Sequence, residues 1–494
     1  MANSAFVAID LGAESGRTIL ARIDDSRLQL EEVNRFSNGP IRIGDALYWD
    51  ALRLFEAMKQ GLAAVVRDRQ VAPAGIGLDT WGVDFGLLGA GDELLGNPRH
   101  YRDPRTNGIM DKAFARVTRE QMFERTGIQF MQFNSVFQLF AMRLAGSPLL
   151  DIAKTFLTMP DLFNFWLAGE KVCEFSNATT TQLYDPRAKT WAVTLFEALR
   201  LPLEMMPKIV PPGTVIGALR PSICEELGTK AIPVIAPACH DTGSAVAAVP
   251  AEPGSNWAFL SSGTWSLMGM EVPAPIITSQ SQAYNFTNEG GVGNTFRFLK
   301  NIMGLWLVQE CRRTWQRAGQ AYDYGQLSDL AAASKPFAHW VNVDDPSFLA
   351  PGDMPARIAA FCERTGQAAP DSPGAFVRCC LESLALTYRV VVNVLEECTG
   401  RKIDVIHAVG GGIQNTLLCQ MAADATGRTV VTGPIEATAA GNVVMQAIAA
   451  GALKNIDEAR DLVRRSFELK TYAPKPSPAW DEAYARLCKH RSET

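Results

Sequence analysis

No C-x-x-C pair occurs among the ten cysteines of this 494-residue chain, and only Cys379 and Cys380 are adjacent. The usage is otherwise scattered, and adjacent cysteines rarely bridge. It fits a reducing compartment, where most thiols serve as small buried hydrophobes. Histidine is also scarce. His100, His240, His339, His407 and His490 are widely spaced, with no H-E-x-x-H pair to make a dedicated zinc site. The absence of a Gly-Lys dipeptide excludes a P-loop, and the absence of a complete G-x-G-x-x-G argues against a Rossmann dinucleotide site. No G-x-S-x-G elbow of the hydrolase kind is present. Neither sign of charge dominates: 47 basic and 52 acidic residues give a net charge of -5, and no basic run offers a footprint for nucleic acid. The most apolar long stretch, 231–251, is interrupted by three prolines and by His240-Asp241-Thr242, so it is a poor membrane span. No signal-peptide pattern opens the chain. A cytoplasmic protein without membrane or nucleic-acid partners is expected.

What is present is an ordinary globular composition, 47% hydrophobic and 20% charged, in a chain longer than one hydrophobic core usually supports. Two domains are therefore expected. Strands are predicted over 6–10, 18–23 and 28–36, then a helix over 50–69 with Leu52, Phe55, Met58, Leu62 and Val65 on one face. A buried strand and a polar turn follow at 75–85, helices at 108–125 and 134–145, and a proline-rich connector at 202–215. Strands resume at 232–236 and 257–270. The Pro/Gly/Glu-rich segment 250–255 between them places the domain boundary, giving domains 1–250 and 251–494. In the second half a long helix is expected over 375–398, a strand over 405–409, and a helix after Asn415, which is suited to cap it. The order of elements in the first half is partly echoed in the second, which argues for α/β domains related by duplication.

Two strand–turn–strand segments carry the clearest chemistry. In the first, Asp10 closes a strand before Gly12-Ala13-Glu14-Ser15-Gly16-Arg17; in the second, a strand runs into Ser261-Ser262-Gly263-Thr264-Trp265. Turns built from glycine and hydroxyl residues let backbone N–H groups and a hydroxyl converge on an anion. Arg17 adds a cation suited to phosphate, and Asp10 a carboxylate suited to Mg²⁺ through water. Gly410-Gly411-Gly412 lies between a strand and a helix, where bare backbone admits a flat ring or a ribose. In Cys239-His240-Asp241-Thr242-Gly243, Asp241 suits two uses: capping the helix that starts near Thr242, or accepting the proton of an acceptor hydroxyl.

Taken together, D-x-G-x-x-S-G-R, H-D-T, S-S-G-T-W and G-G-G resemble the FGGY carbohydrate kinases of the actin/hexokinase-like ATPase fold. Supporting segments are Asp79-Thr80-Trp81-Gly82-Val83-Asp84-Phe85, Tyr101 to Gly108, Asn177 to Leu183, Thr287 to Gly291 and Lys300 to Trp306. The resemblance implies two actin-like (ribonuclease H-like) domains with a cleft between them. It assigns ATP to Ala13, Glu14, Ser15, Gly16, Arg17, Thr264, Gln309 and Gly411, and the sugar to Gly82, His240, Asp241, Thr242 and Asn301. Asp241 becomes the expected proton acceptor, and Asp10 the expected Mg²⁺ residue. The finer likeness is to the branch that phosphorylates the 1-hydroxyl of L-rhamnulose with ATP and Mg²⁺. The alternatives are an L-fuculose or D-xylulose kinase of the same family, or a non-kinase actin-fold ATPase. The resemblance transfers no disulfide.

Overall fold

The computed structural model describes residues 4–24 and 27–493. The chain forms two compact units. One comprises the residues up to Glu252 together with Glu271–Phe298 and Ala437–Phe467. The other comprises Pro253–Met270, Leu299–Glu436 and the residues from Glu468 onward.

The first unit is built on a six-stranded sheet. Strands β1 (Ser4–Leu11), β2 (Ser15–Ile23) and β3 (Leu28–Ser37) form an antiparallel meander. β4 (Ile76–Thr80), β5 (Thr214–Ala218) and β6 (Pro233–Ala236) complete the order β5-β6-β4-β1-β2-β3. β1 pairs in parallel with β4, and β4 in parallel with β6. Both faces of the central strands are covered, so β1 reads as a continuous apolar run from Phe6 to Ile9 rather than as an alternation.

Helix α1 (Ala51–Ala63) starts at Asp50, whose carboxylate accepts the Arg53 N–H. Its buried face is Ala51, Leu54, Met58 and Leu62, continued by Val65. Leu52, expected on that face, is 64% exposed. It lies one residue off the stripe that the helical period draws back from Met58, and the small Ala51 takes its place. The helix expected over 108–125 is two helices, Ile109–Phe114 and Arg119–Thr126. Thr118 and Gln121 form a capping box that starts the second and so divides them. The proline-rich segment 202–215 is not only a connector: it holds the strand Lys208–Val210 and leads into the edge strand β5.

Three further helices matter to the site: α2 (Phe175–Thr180), α3 (Asp241–Ala247) and α4 (Ala437–Ala449). α4 lies far along the sequence yet packs on the first sheet. Ala439, Ala440, Val443, Val444 and Ala447 share a core with Phe6, Ala8, Ile19 and Ala21. Gly441 lies directly against the Ser244 carbonyl of α3, where any Cβ would overlap it, so only glycine permits this helix crossing.

The second unit repeats the plan of a hairpin beside parallel strands. β7 (Trp257–Ser262) and β8 (Trp265–Val272) are antiparallel, β9 (Val405–Val409) runs parallel to β7, and β10 (Thr429–Thr432) runs parallel to β9. β11 (Lys470–Tyr472) closes that edge antiparallel to β10. The long helix Pro373–Thr399 is capped by Ser372 and stopped by Gly400 at φ +66°. Asn415 caps the helix Thr416–Thr426 by accepting the Leu418 N–H at 2.9 Å, as expected. All ten cysteines are free.

Candidate active site

In the first unit the site is assembled where β1, β2 and β4 end. The register places Arg17 of β2 and Asp79 of β4 on either side of Asp10 of β1. Arg17 binds one oxygen of Asp10 twice, through Nε at 3.0 Å and Nη2 at 2.7 Å. Asp79 is fully buried. Its Oδ2 accepts the Asn442 amide at 2.6 Å, while its Oδ1 has no hydrogen-bond partner among the described residues. Burial pushes this carboxyl well above the ordinary carboxylate range, and the negative charge of Asp10 adds to the effect. Asn442 is held in turn by Gln446, which also donates to the Val7 carbonyl at 2.9 Å. A polar ladder therefore crosses from α4 to the sheet.

The turn after β1 is closed by Gly12 N–H to the Ser15 carbonyl at 2.9 Å. Asn38 braces it twice, donating its side chain to the Gly12 carbonyl at 2.8 Å and its backbone N–H to the Glu14 carbonyl at 2.9 Å. Glu14 is exposed, and Ala13, Ser15 and Arg17 are half-buried, so this turn faces solvent at the rim of the sheet.

Asp241 is the first residue of α3, with His240 at the N-cap position making no side-chain cap bond. Asp241 Oδ1 accepts the Thr242 N–H at 2.5 Å and the Thr242 hydroxyl at 3.1 Å. These contacts reach only the next residue, so the carboxylate does not cap the later turn. Burial raises the Asp241 carboxyl above its usual value, His240 opposes that shift, and Asp10 adds to it. His240 lies between two carboxylates: its Nε2 is 3.4 Å from Asp241 Oδ1 and its Nδ1 is 3.2 Å from Glu289 Oε2. Arg297, fully buried, lies 3.1 Å from His240 Nδ1 and 3.2 Å from Glu289 Oε2, and donates through Nε to the Gly290 carbonyl at 2.9 Å.

In the second unit the turn between β7 and β8 is closed by Gly263 N–H to the Trp265 carbonyl at 2.9 Å. It is docked on the start of the helix Trp306–Arg317: Leu305 N–H reaches the Gly263 carbonyl and Trp306 N–H the Thr264 carbonyl, both at 3.1 Å. Gln309 lies one turn along that helix, and its Oε1 is buried with no partner among the described residues. Behind the hairpin, Gly410 and Gly412 press on the Ser262 backbone, and Gly410 has φ +87°, so neither position takes a side chain without displacement. Gly411 differs, with nothing within 4 Å of where its Cβ would stand. Asn301 is buried on the strand Phe296–Met303.

Asp10, Arg17, Gly82, His240, Asp241 and Thr242 thus lie in the first unit, and Thr264, Gln309, Gly411 and Asn301 in the second. Sequence reasoning missed Asp79, Asn38, Asn442 and the Glu289–Arg297 pair. Asp79 and Glu289 stood inside segments singled out for resemblance, but side-chain placement alone gives them a role.

The donor set suits a hard, oxygen-bound cation. Asp10 and the unpartnered Asp79 oxygen adjoin on neighbouring strands, and Mg²⁺ typically takes one or two carboxylates plus water and substrate phosphates. Among the described residues no three His, Cys, Asp or Glu side chains form a protein-only cage.

Two related α/β units with these hairpins define an ATPase-type scaffold, the first unit carrying a cluster of carboxylates. The sequence matches the FGGY family of carbohydrate kinases, N-terminal domain, over residues 5–248, and its C-terminal domain over 258–450. The chain belongs to the FGGY family of carbohydrate kinases and is a sugar kinase. Among curated relatives it is 46% identical to a rhamnulokinase of Bacteroides thetaiotaomicron, over 97% of this chain and 98% of that protein. It is 43% identical to a rhamnulokinase of Oceanobacillus iheyensis, over 94% of this chain and 98% of the relative. Solved structures share the fold at low identity. A ligand-bound xylulose kinase from Lactobacillus acidophilus aligns with TM-score 0.81 at 17% identity, covering 99% of this chain and 98% of that one. A glycerol kinase from Plasmodium falciparum with ADP aligns with TM-score 0.79 at 15% identity, covering 100% and 98%.

Proposed function

We propose that this chain transfers the γ-phosphoryl group of ATP to the 1-hydroxyl of L-rhamnulose, giving L-rhamnulose 1-phosphate and ADP. The observation that carries the substrate is the near-full-length likeness, at up to 46% identity, to curated rhamnulokinases. The xylulose kinases that share the fold do so at 13% to 20% identity, which speaks only for the scaffold.

Phosphoryl transfer depends on in-line placement and charge neutralisation more than on covalent chemistry. Asp241 accepts a hydrogen bond from the ketose hydroxyl and takes its proton as the new P–O bond forms and the bridging oxygen leaves with ADP. His240, Thr242, Gly82 and Asn301 hold the sugar. Ala13, Glu14, Ser15, Gly16 and Arg17 hold phosphates from one hairpin, and Thr264 and Gln309 from the other. The open face of Gly411 admits the adenosine. Asp10, with Asp79 beside it, would hold Mg²⁺, which supplies charge neutralisation on the transferring phosphates. By this reading residues 1–250 and 251–494 are the two family domains, with the sugar site and first phosphate hairpin in the former. The reaction belongs in the cytoplasm, where ATP is available and ten unpaired thiols persist.

The test is coupled ADP release by the purified protein with L-rhamnulose, L-fuculose and D-xylulose at equal concentrations. The expected outcome is the highest kcat/KM for L-rhamnulose. A preference for either other ketose would reassign the branch, and no ADP release with any sugar would defeat the kinase reading.

A further inference from the structure

The sugar-side segments of the first unit meet on a short helix to which none of the roles above has been given. Ser176, Thr179 and Thr180 of α2 are spaced i, i+3, i+4 and so share one helix face. Each hydroxyl oxygen accepts a backbone N–H from a different segment: Ser176 from His240 at 3.0 Å, Thr179 from Gly290 at 2.8 Å, and Thr180 from Val83 at 3.1 Å. Each hydroxyl proton is directed back onto α2 or its N-cap residue, Glu174. Ser176 donates to Glu174 at 2.5 Å, Thr179 to the Ser176 carbonyl at 2.9 Å, and Thr180 to the Asn177 carbonyl at 2.8 Å. That internal bond points a lone pair outward, which a methyl group of the same shape cannot supply.

The three segments received here are those of the site. His240 precedes Asp241, Gly290 follows Glu289, and Val83 follows Gly82. Two of them approach the helix through glycine: a Cβ on Gly82 would lie 3.0 Å from Thr180, and one on Gly290 would lie 2.7 Å from Phe175. Val83 has φ +69°, rare for a β-branched residue, and Asp84 N–H to the Gly82 carbonyl at 2.9 Å closes a three-residue turn around it. Such a turn persists only where its surroundings over-determine it. Thr180 binds its N–H, while the Ser135 hydroxyl and the Gln138 amide bind the Val83 carbonyl. Asp84 accepts the indole N–H groups of Trp49 at 2.6 Å and Trp81 at 3.1 Å. At the head of the helix Glu174 accepts the N–H groups of Ser176 and Cys239, both at 2.8 Å, and burial pushes its carboxyl up to about 7.

We propose that the Ser176–Thr179–Thr180 face of α2 is the positioning platform of the sugar site, fixing the His240–Asp241, Glu289–Gly290 and Gly82–Asp84 segments relative to one another. These are positioning residues that act through backbone groups, and their kinetic consequence rests on the kinase reading.

The test uses the full-length protein with Ser176→Ala, Thr179→Val and Thr180→Val, and with Thr179→Ser and Thr180→Ser as rescues. Per active enzyme, each Val variant is expected to lower kcat/KM for L-rhamnulose by about 10- to 100-fold, because a buried N–H loses its partner. KM for ATP is expected to stay within about twofold, and the Ser variants to recover most of the loss, since they keep the hydroxyl. Amide hydrogen exchange by mass spectrometry gives a readout independent of catalysis. Exchange should rise in the peptide around 237–243 for Ser176→Ala, around 287–292 for Thr179→Val and around 80–86 for Thr180→Val. Should a Val variant not accumulate as folded protein, Thr179→Ala or Thr180→Ala carries the same expectation. Unchanged ketose kinetics, or an equal loss in ATP affinity, would overturn the platform. If the wild type releases no ADP with any ketose, the kinase reading fails and exchange alone decides: unchanged protection in the matching peptide overturns the platform.

Discussion

The hairpins β1–β2 and β7–β8 share a backbone plan and differ in charge. Each pairs antiparallel within itself and has a parallel strand at its side, β4 for the first and β9 for the second. Each closes its turn with a glycine N–H to a carbonyl two or three residues on, at 2.9 Å. The first ends in Asp10, bound by Arg17 and flanked by the buried Asp79. At the equivalent place the second has Ser261 and Ser262, backed by Gly410 and Gly412 and docked on a helix start. One scaffold has thus been given two electrostatic characters. The carboxylate edge suits a cation and a proton transfer, and the neutral edge suits close approach to a nucleotide. On the proposed reading both hairpins hold ATP phosphates, and the carboxylates beside the first add the cation and proton-transfer chemistry that the second lacks.

That division can be broken or sharpened by substitution. The largest effect is expected at Asp241. Asp241→Asn should retain ATP and ketose binding and lose roughly 10² to 10⁴ in kcat, the usual loss for a general base; calorimetry and steady-state kinetics together check it. Near-normal turnover would return Asp241 to a purely structural place at the start of α3. Next, Asp10→Asn should lower kcat on the order of 10²-fold by removing a carboxylate that would hold the neutralising Mg²⁺, and raise the Mg²⁺ concentration needed for half-maximal rate. A change confined to ATP affinity would leave Asp10 with no part in turnover. On the neutral side, Gly411→Val should raise Kd for ATP by about 10-fold with kcat little altered, since the added side chain enters open space in the protein and harms only the ligand. An unchanged affinity would remove the glycine loop from the nucleotide site.

The smallest effect concerns pH. A proton acceptor must be ionised, so kcat/KM should rise with pH through the Asp241 pKa, which burial holds above the usual aspartate value near 3.9. His240 opposes that elevation, so His240→Asn should move the acid limb to higher pH. A shift to lower pH would mean that another group sets the limb.

The two hairpins and the triple-glycine turn are legible in the sequence because their signals are local: a turn needs its glycine and hydroxyl residues within a few positions. Asp241 read locally allows a cap as readily as a proton acceptor, and only the family resemblance favours the second use. What was not legible depends on distant packing. Asp79 acquires its role from Asn442, which lies 363 positions away and is delivered by α4. α4 joins the first unit because its small residues, with glycine at 441, let it lie against α3 and the sheet. Asn38 braces the first turn from beyond β3, where no motif marks it. The hydroxyls of α2 stand in a run that resemblance singled out, yet only the folded chain gives each its separate N–H. Leu52 was misplaced for a simpler reason, since the helical period admits either neighbour until the sheet selects Ala51.

The central claim, transfer to the 1-hydroxyl of L-rhamnulose, is tested most directly by phosphorus NMR of the product made from ATP and that ketose. The expected product is ADP and one new phosphate monoester, its phosphorus split as a triplet by the two protons of a CH₂ group. A doublet from a CH group would contradict the assignment of the acceptor hydroxyl. Release of inorganic phosphate with unmodified ketose would contradict the kinase itself.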